Sequence, residues 1–537
     1  MPRPAIVFIG FMGAGKSTAL AAARHAGLET TEIDELMEAE LGMPIAEAFE
    51  TIGEAGFRER ESEVVGSLLE QADGGAIALG GGSVLLERVR AALGRHHVVW
   101  LQVDPSEAWR RIANSNRPLA TSAEDVRRLL EERLPLYEQL VDAIVPMADR
   151  DAVARALPAI QALDDLPAGT KLLWATSASG EYPIYVGRGL LGLTEAGGEA
   201  SNDAAEEDAT AADTAGLPAS GWWPVSGRRF CVSDGDVGPL YAERLQPLAA
   251  RVEVPPGEGA KTMAEAERVL REMASAGMTR EDHVVALGGG VVGDLGGLCA
   301  HLYQRGVPVV QVPTTLVAQV DSAYGGKTGV DLPEGKNYAG AYHLPAAVIA
   351  DTETLATLPP TELAAGFVEV LKTGLLAGGA LWERVRGIES LDPDGLDDVV
   401  FACARYKCEV VAADERDGGL RHVLNLGHTV GHAIEAATAY ERYRHGEAVG
   451  LGLLAALRLS EAPELRDEVA TALGRYGLPT ELDPAVSVDA CLDALQRDKK
   501  RTAAGVGFVL LSEPGKPRPG QLVDPARVRA AVEELLP

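Results

Sequence analysis

The segment GFMGAGKST over residues 10–18 follows directly on the apolar run AIVFI over residues 5–9. Glycines at this GxxxxGK[ST] spacing let backbone N–H groups wrap a phosphate chain, while the lysine reaches the terminal phosphates and the serine hydroxyl faces Mg²⁺. A buried strand is predicted before the loop and a helix after it, a context that a chance glycine-rich turn does not share. We therefore expect a parallel sheet covered by helices, with ATP and Mg²⁺ bound by Gly13, Ala14, Gly15, Lys16, Ser17 and Thr18, of which Lys16 is also a catalytic candidate and Ser17 a metal ligand.

Composition limits the partners of the chain. Its 537 residues exceed one ordinary domain, and its net charge of −30 argues against nucleic acid or an anionic membrane surface as a main partner. We expect small-molecule substrates instead. The five cysteines lack the paired spacing of a zinc site, and no apolar stretch reaches the ~20 residues of a membrane span, so we expect reduced thiols and a cytoplasmic location.

Further segments between residues 1 and 165 indicate which molecule receives the phosphate. They are EID over 32–34, GFRERESE over 56–63, GGG over 80–82, RPL over 117–119 and RLPLY over 133–137. In this order they resemble shikimate kinase. The resemblance implies that the substrate contacts are Asp34, Arg58, Gly80, Gly81, Gly82 and Arg133. It also implies catalytic roles for Asp34 and for Arg117, which would lie in a lid near the phosphates.

The chemistry of these side chains suits such a substrate. A small anionic polyol needs a carboxylate for its hydroxyl groups and guanidinium groups for its own carboxylate. One departure concerns Glu32, which stands where the family usually has Asp; we expect its longer side chain still to orient water bound to Mg²⁺. Arg110 or Arg111 is a candidate contact for adenine.

The first domain is expected to end near residue 165. The segment ALDDLPAGT over 162–170 is typical of a short linker, and strands joined by a glycine turn are predicted from residue 171 onward. Residues 194–220 are rich in Asp, Glu, Ala, Gly and Thr and contain no Lys or Arg. Such a composition cannot bury enough apolar surface to offset chain entropy, so we expect a disordered surface insertion there.

A second α/β domain is predicted over residues 171–353. A helix is expected over 263–276, and HVVALGGGVVGD over 283–294 is typical of a strand, a glycine-rich turn and a helix. Such a turn brings backbone N–H groups against a pyrophosphate, although tight packing alone would explain it equally well. Lys327 and Lys336 lie in glycine-rich turns and suit capture of phosphate or carboxylate groups.

From about residue 354 the pattern becomes helical, and titratable side chains appear in apolar surroundings. Glu369 and Lys372 lie three residues apart in AAGFVEVLKTGLL, where a Glu is costly unless it is paired or binds a metal ion. A helix would place His428 and His432, four apart, on one side, which by itself suggests that they share a metal ion. His445 follows a short turn. One Glu and two His side chains are a recurrent catalytic zinc site; a Glu–Lys pair on a partly exposed face is the alternative.

Many segments after residue 175 together resemble 3-dehydroquinate synthase. They include PGEGAK, GGGVVGD, PTTLVAQVDS, GGKTGV, GKNYAGA, AAGFVEVLK, LNLGHTVGHAIE, HGEAV and DKK, in that order. The resemblance implies a Rossmann-like NAD-binding α/β domain over 171–353, followed by an α-helical domain over 354–537 that binds metal and substrate. It implies that Zn²⁺ or Co²⁺ is bound by Glu369, His428 and His445, which leaves His432 for the substrate or for proton transfer.

The same resemblance assigns the remaining candidates. The NAD contacts are Glu258, Lys261, Gly289, Gly290, Asp294, Thr314, Thr315, Lys327, Lys336, Thr354 and Thr357. The substrate contacts are Arg305, Asp321, Asn337, Arg421, Asn425 and one or both of Lys499 and Lys500. Catalytic roles fall on Lys327, Lys372 and His432, and a homodimer formed through this part of the chain is expected.

The two resemblances imply a bifunctional enzyme of the shikimate pathway. One activity would transfer phosphate from ATP to shikimate. The other would convert 3-deoxy-D-arabino-heptulosonate 7-phosphate to 3-dehydroquinate and phosphate, with NAD reduced and reoxidised in each turnover. Two alternatives stay open: the second part could be a metal- and NAD-dependent polyol dehydrogenase, or one part could be a non-catalytic binding domain.

Overall fold

The computed structural model describes residues 3–113, 122–192, 222–497 and 506–537, apart from the side chain of residue 497. Arg117, Lys499, Lys500 and the acidic segment 194–220 lie outside the described residues. The chain divides into two compact units. As far as they are described, the N-terminal unit comprises Met1–Trp174, Gly189–Arg228 and Pro239–Ala249, and the C-terminal unit comprises Ala175–Arg188, Arg229–Gly238 and Ala250–Pro537. The finer division at residues 165, 171 and 354 stays a prediction.

The N-terminal unit is built on a parallel sheet with strand order β2-β3-β1-β4-β5-β6. The strands are β1 (Ile6–Ile9), β2 (Thr30–Glu32), β3 (Ala76–Ala78), β4 (His97–Gln102), β5 (Ala143–Pro146) and β6 (Lys171–Ser177). The helices are α1 (Lys16–His25), α2 (Ile33–Leu41), α3 (Ile45–Gln71), α4 (Glu87–Leu93), α5 (Pro105–Ile112), α6 (Ala123–Leu140) and α7 (Ala152–Gln161). Every residue of β1 and β3 is buried, as expected for strands covered by helices on both faces. The carboxyl ends of β1, β2 and β3 meet at one edge, where ligands of such sheets bind.

The C-terminal unit begins with a second mostly parallel sheet of order β7-β14-β11-β10-β8-β9. Its strands are β7 (Gly180–Gly187), β8 (Arg229–Asp234), β9 (Leu248–Val254), β10 (His283–Gly288), β11 (Val309–Pro313) and β14 (Ala347–Asp351), and β12 (Lys327–Leu332) and β13 (Gly335–Tyr342) form an antiparallel hairpin. The helices of this part are α9 (Met263–Ser275) and α10 (Gly290–Leu302), whereas the short α8 (Gly238–Tyr241) falls mostly in the range Pro239–Ala249 of the N-terminal unit. Apolar side chains of β8, β10, α9 and α10 pack into one core, which fixes the turn between β10 and α10.

The rest of the C-terminal unit is mainly helical. It contains α11 (Pro360–Ala377), α12 (Gly379–Arg386), α13 (Asp397–Ala413), α14 (His428–Ala437), α15 (His445–Leu459), α16 (Pro463–Arg475), α17 (Val488–Arg497), the strand pair β15 (Gly507–Leu511) and β16 (Pro517–Leu522), and α18 (Pro525–Glu533). The prediction of an α/β fold with a parallel sheet, followed by a second α/β sheet and a helical part, is confirmed. None of the described helices has the length and apolarity that crossing a membrane requires.

Candidate active sites

The phosphate loop lies between β1 and α1, as predicted. Gly13 and Gly15 have φ values of 79° and 92°, in the left-handed region, so the chain can turn tightly before the helix starts at Lys16. Lys16 Nζ donates to the carbonyl oxygens of Gly10 and Phe11, at 3.0 and 3.3 Å, and lies across the loop. A cavity of about 880 Å³ opens here, and of the predicted nucleotide contacts it is lined by Gly13, Gly15, Lys16, Ser17 and Thr18.

The side chains that would hold Mg²⁺ are already in contact. Ser17 Oγ donates to Glu32 Oε1 at 2.5 Å, and both residues line the cavity together with Asp34. A hydroxyl beside a carboxylate is the kind of oxygen donor set that Mg²⁺ prefers, so the residues fit the ion. The longer arm of Glu32 therefore does not keep its carboxylate from contact with Ser17.

The predicted substrate residues converge around a buried carboxylate that the sequence reasoning did not single out. Glu61 is 2% exposed; Oε2 accepts from Arg58 Nη1 at 2.6 Å and Oε1 from Ser83 Oγ at 2.6 Å. Gly82 packs against Arg58 so closely that an added Cβ would lie 2.5 Å from the guanidinium nitrogens. Glu61 lies three residues after Arg58 in α3, a spacing that does signal such a pair.

The other side of the triple glycine contacts the second predicted arginine. Arg133 Nη1 donates to Gly81 O at 2.8 Å, and its guanidinium lies 5.5 Å from the centre of the Phe11 ring. A side chain at Gly80 would lie 3.4 Å from Asp34 Oδ1, so Asp34 borders the same glycines. The guanidinium groups of Arg58 and Arg133, the carboxylate of Asp34 and the backbone of the triple glycine thus lie close together.

The candidate adenine contacts lie on α5. Arg110 and Arg111 both line the cavity, and Arg111 Nη1 donates to Gly13 O at 3.1 Å. Their contact with adenine stays a prediction, as does the role of Arg117, which lies outside the described residues.

In the C-terminal unit, three predicted metal ligands come from three different helices. Glu369 lies within α11, His428 is the first residue of α14, and His445 is the first residue of α15. Glu369 Oε1 lies 3.5 Å from His428 Nε2 and 3.6 Å from His445 Nε2. The Glu369 side chain is 1% exposed and its Oε2 contacts Lys372 Nζ, an ion pair that leaves Oε1 facing the two imidazoles. Two imidazoles and a buried carboxylate fit a four-coordinate ion with one open position.

A glycine allows these helices to approach each other. A Cβ added at Gly446, next to His445, would lie 2.0 Å from Ala365 O of α11. Any side chain at this position would push α15 away from α11 and separate His445 from Glu369. The sequence HGE therefore serves packing as well as chemistry.

The carboxylates around His445 favour positive charge at this position. Burial by itself would lower the pKa of His445, but the carboxylates of Glu369 and Glu435 outweigh it and raise that pKa to about 9. Burial would raise the pKa of Glu369, but Lys372 and His428 dominate and hold that pKa well below its usual range.

His432 lies next to this group without belonging to it. Its ring centre is 5.3 Å from that of His428 and 5.9 Å from that of His445. Of the described residues, two sets of three could hold a metal ion, Glu369–His428–His445 and His432–Glu435–His445. Neither contains both His428 and His432, so the pairing that their spacing suggested is not what the fold produces.

Asp321, Lys372 and Lys407 form a charged cluster beside Glu369. Asp321 lies in a π-helical turn, a local distortion common at functional sites, and its Oδ2 is 3.4 Å from Lys372 Nζ. Lys407 of α13, which the sequence reasoning missed, contacts both Asp321 O and Oδ1. Burial would raise the pKa of Asp321, but the two ammonium groups lower it to about 2. No local signal singles out Lys407, which shares the segment FACARYKCEVV with Arg405 and Glu409.

The glycine-rich turn after β10 leads directly into α10. Gly289 is the cap residue and Gly290 the first residue of the helix, so backbone N–H groups at a helix N-terminus face the edge of the sheet. Thr314 Oγ1 is buried and has no hydrogen-bond partner among the described residues. These features fit the pyrophosphate and hydroxyl groups of a dinucleotide.

Polar side chains surround this turn. Lys261 Nζ lies 2.6 Å from Asp294 Oδ2 and 3.9 Å from Glu258 Oε1. Thr354 Oγ1 donates to Asp351 O at 2.7 Å, and Thr357 Oγ1 to Thr354 O at 3.1 Å. Thr315 also lies here, with its Cγ2 2.9 Å from where a Cβ on Gly289 would be.

The other predicted contacts with NAD or the substrate include Lys327, Arg421, Asn425, Asn337 and Arg305. Lys327 Nζ pairs with Asp417 Oδ2 at 2.6 Å, and buried Arg421 donates through Nη1 to Glu415 O at 2.7 Å. Asn425 Nδ2 donates to His422 O at 3.2 Å, which places it on the same loop as Arg421. Asn337 has a φ of 54° and donates its backbone N–H to Asp331 Oδ1 at 2.7 Å. Arg305 is exposed with a φ of 73°, and none of the ion pairs in the described part of the chain joins it to Asp321.

Fold and sites define a phosphate-loop kinase joined to a nucleotide- and metal-binding α/β enzyme. Residues 12–163 match the family model of shikimate kinase, and residues 251–365 and 366–501 match the N-terminal and C-terminal models of 3-dehydroquinate synthase. The chain belongs to the 3-dehydroquinate synthase family and carries a shikimate kinase domain before it.

Individual relatives agree. The 3-dehydroquinate synthase of Symbiobacterium thermophilum is 40% identical over 371 residues, 66% of this chain and 98% of that protein. The 3-dehydroquinate synthase of Halorhodospira halophila is 42% identical over 355 residues, 64% of this chain and 93% of that protein. The structure of 2-epi-5-epi-valiolone synthase from Streptomyces hygroscopicus, with NAD⁺ and Zn²⁺ bound, has a TM-score of 0.52 at 28% identity, covering 58% of this chain and 91% of that one.

Proposed function

We propose that this chain catalyses two reactions of the shikimate pathway. The N-terminal unit phosphorylates shikimate with ATP to give shikimate 3-phosphate. The C-terminal unit converts 3-deoxy-D-arabino-heptulosonate 7-phosphate to 3-dehydroquinate and phosphate. The observation that carries the proposal is that each unit brings together a complete set of donors, Ser17–Glu32 beside Lys16 in one and Glu369–His428–His445 in the other.

In the kinase reaction the protein mainly positions charge. Lys16 and the backbone N–H groups of the loop hold the phosphates, and Arg58 and Arg133 hold the carboxylate of shikimate. Asp34 accepts a hydrogen bond from the hydroxyl that attacks and so aligns its oxygen with the terminal phosphate. Ser17 and Glu32 would hold Mg²⁺, which would neutralise the charge of the phosphates.

In the synthase reaction the lysines and the arginine bind the anionic groups of the substrate. Lys327, Lys407 and Arg421 provide positive charge for a carboxylate and a phosphate despite the acidic surface of the chain. His432, beside the donors but outside their set, is placed to move a proton. Lys372 holds Asp321 and Glu369 ionised and in place. Zn²⁺ or Co²⁺ at the three donors supplies Lewis acidity, and NAD supplies a hydride acceptor that is restored in each turnover.

Separate assays of matched variants test the two activities. The Lys16→Ala variant should lose ATP-dependent phosphorylation of shikimate and keep phosphate release from the heptulosonate phosphate, and His428→Ala should do the reverse. Accumulation of NADH without phosphate release would contradict the synthase activity and favour a polyol dehydrogenase. Loss of neither activity in its variant would show that the sites are wrongly assigned.

The proposal also includes an oligomeric state and a cellular location. The exposed apolar side chains of Leu302, Tyr338 and Tyr342 support a homodimer formed through the C-terminal unit. All five cysteines are buried and free, which supports a reducing cytoplasm. Light scattering after size exclusion measures the oligomeric state, and a monomer at working concentration would contradict the dimer.

A further inference from the structure

Glu435 is a buried carboxylate behind the metal donors. It lies in the last turn of α14, is 2% exposed, and its Oε1 is 3.4 Å from His445 Nδ1. Its Oε2 is buried without a hydrogen-bond partner among the described residues. Because His445 Nε2 faces Glu369, Nδ1 is the nitrogen left to donate, and Glu435 is its acceptor.

The same carboxylate oxygen also faces a cation. Lys336 Nζ, on β13, lies 3.5 Å from Glu435 Oε1 and 3.7 Å from Glu258 Oε1, and 4.6 Å from the centre of the Tyr440 ring. Tyr440 N donates to Glu435 O at 2.8 Å, which ties the turn before His445 to the end of α14. One carboxylate oxygen is thus shared between Lys336 and His445.

Carboxylates that accept from the outer nitrogen of a metal-binding histidine fix the ring and make it a better ligand. In the second donor set Glu435 would be a metal ligand itself, but its Oε1 is taken by the Nδ1 side of His445 while Nε2 points to Glu369. The two arrangements differ in a measurable way, since only the second requires His432.

We propose that Glu435 is a positioning residue that couples Lys336 to His445, so that NAD binding tightens metal binding. The inference rests on the proposed function, in which Lys336 contacts NAD and His445 binds the metal ion. When an oxygen of NAD accepts a hydrogen bond from Lys336, the ammonium attracts Glu435 less. Glu435 then accepts more strongly from His445 Nδ1, and the imidazole becomes the better donor to the metal ion.

Metal affinity, measured by competition with a chromophoric chelator, tests this coupling without an activity assay. Zn²⁺ affinity of the full chain is compared with and without saturating NAD for the wild type, Glu435→Gln, Lys336→Met and the double variant. Glu441→Gln, a change at an exposed carboxylate six residues further on, is the matched control. Circular dichroism and thermal unfolding establish that each variant is folded.

The expected pattern is specific. NAD should tighten Zn²⁺ binding by wild type and Glu441→Gln at least about fivefold, within the usual range of coupling between sites. Glu435→Gln should weaken Zn²⁺ binding about tenfold or more, and its response to NAD should vanish. Lys336→Met should bind Zn²⁺ more tightly than wild type without NAD. In the double variant that gain should be absent, because Lys336 acts through Glu435 rather than through space.

Four outcomes would overturn the coupling. They are wild-type Zn²⁺ affinity in Glu435→Gln, a persisting NAD effect in that variant, an equal gain from Lys336→Met in both backgrounds, and loss of Zn²⁺ from His432→Ala, which would favour the second donor set. A wild type that binds neither Zn²⁺ nor NAD would instead contradict the proposed function itself, so the two failures are distinguishable.

Discussion

Lys372 and Glu369 form an ion pair within one turn of α11, with side chains that are 2% and 1% exposed. Lys372 Nζ also lies 3.4 Å from Asp321 Oδ2, so one ammonium serves the buried carboxylate of Glu369 and the partly exposed one of Asp321. Burial would lower the pKa of Lys372, but Asp321 and Glu369 outweigh it and raise that pKa above its usual value. Lys372 is therefore the counter-charge that keeps both acids ionised.

Replacing Lys372 with Met should destabilise the metal-free protein by about 3–5 kcal/mol, because a buried charge loses its partner. A bound divalent ion would compensate Glu369, so the loss should be smaller with saturating Zn²⁺. Urea unfolding with and without Zn²⁺ measures both values. Lys327→Met, whose pair with Asp417 is 48% and 26% exposed, is the control and should cost less than about 1 kcal/mol. Equal losses in the two variants would refute the role of Lys372.

Metal analysis of variants can distinguish the proposed metal ligands from the neighbouring His432. After dialysis against Zn²⁺ and then metal-free buffer, elemental analysis should find the ion in wild type and His432→Ala and not in His445→Ala or Glu369→Ala. The reason is that His432 is missing from the set around Glu369, whereas His445 belongs to it. Retention of Zn²⁺ by His445→Ala together with its loss from His432→Ala would reverse the assignment.

Glu61→Gln should weaken shikimate binding selectively. The substitution removes the charge that holds Arg58 and keeps a side chain of similar size near Ser83. We expect the KM for shikimate to rise about tenfold, the effect of losing a charge-assisted hydrogen bond of roughly 1.4 kcal/mol, with the KM for ATP unchanged. Glu63→Gln, at an exposed pair with Arg60, is the matched control. A parallel rise in both KM values would indicate general damage to the fold.

Asp414 should stabilise the segment that carries Arg421, and this contribution to the free energy of unfolding should depend on pH. Its carboxylate accepts from the backbone N–H groups of Gly418, Gly419 and Arg421 at 2.7, 2.8 and 3.0 Å. These bonds lower the pKa of Asp414 from 3.8 to about 2. Because the folded pKa lies below the unfolded one, the contribution is complete above the unfolded pKa and is lost as pH falls through the folded pKa.

Comparison of wild type with Asp414→Ala reveals that contribution. The difference in their free energies of unfolding should be constant between about pH 5 and 7 and should shrink below about pH 4. Urea titrations at several pH values measure it. A difference that grows on acidification would show that the carboxylate is not ionised in its bonded form.

The sequence was sufficient to predict the features whose residues lie close together along the chain. The phosphate loop, the glycine turn before α10 and the Glu369–Lys372 helix each carry their signal within one segment. Lys407 and Glu435 did not, because their partners Asp321 and Lys336 lie far away in sequence. The spacing of His428 and His432 suggested a shared metal ion, and only the packing of α15 on α11 explains why His445 lies beside Glu369.

The contact between Gly446 and Ala365 has a consequence for redesign. Since main chain meets main chain there, exchanging side chains at the helix interface can move the donors apart but cannot bring them closer. An engineer who wants the site to prefer another ion would have to change the donor atoms themselves. The backbone contact sets a lower limit on the distance between α11 and α15. Members of a family with this contact can therefore differ mainly in the side chains that line the site.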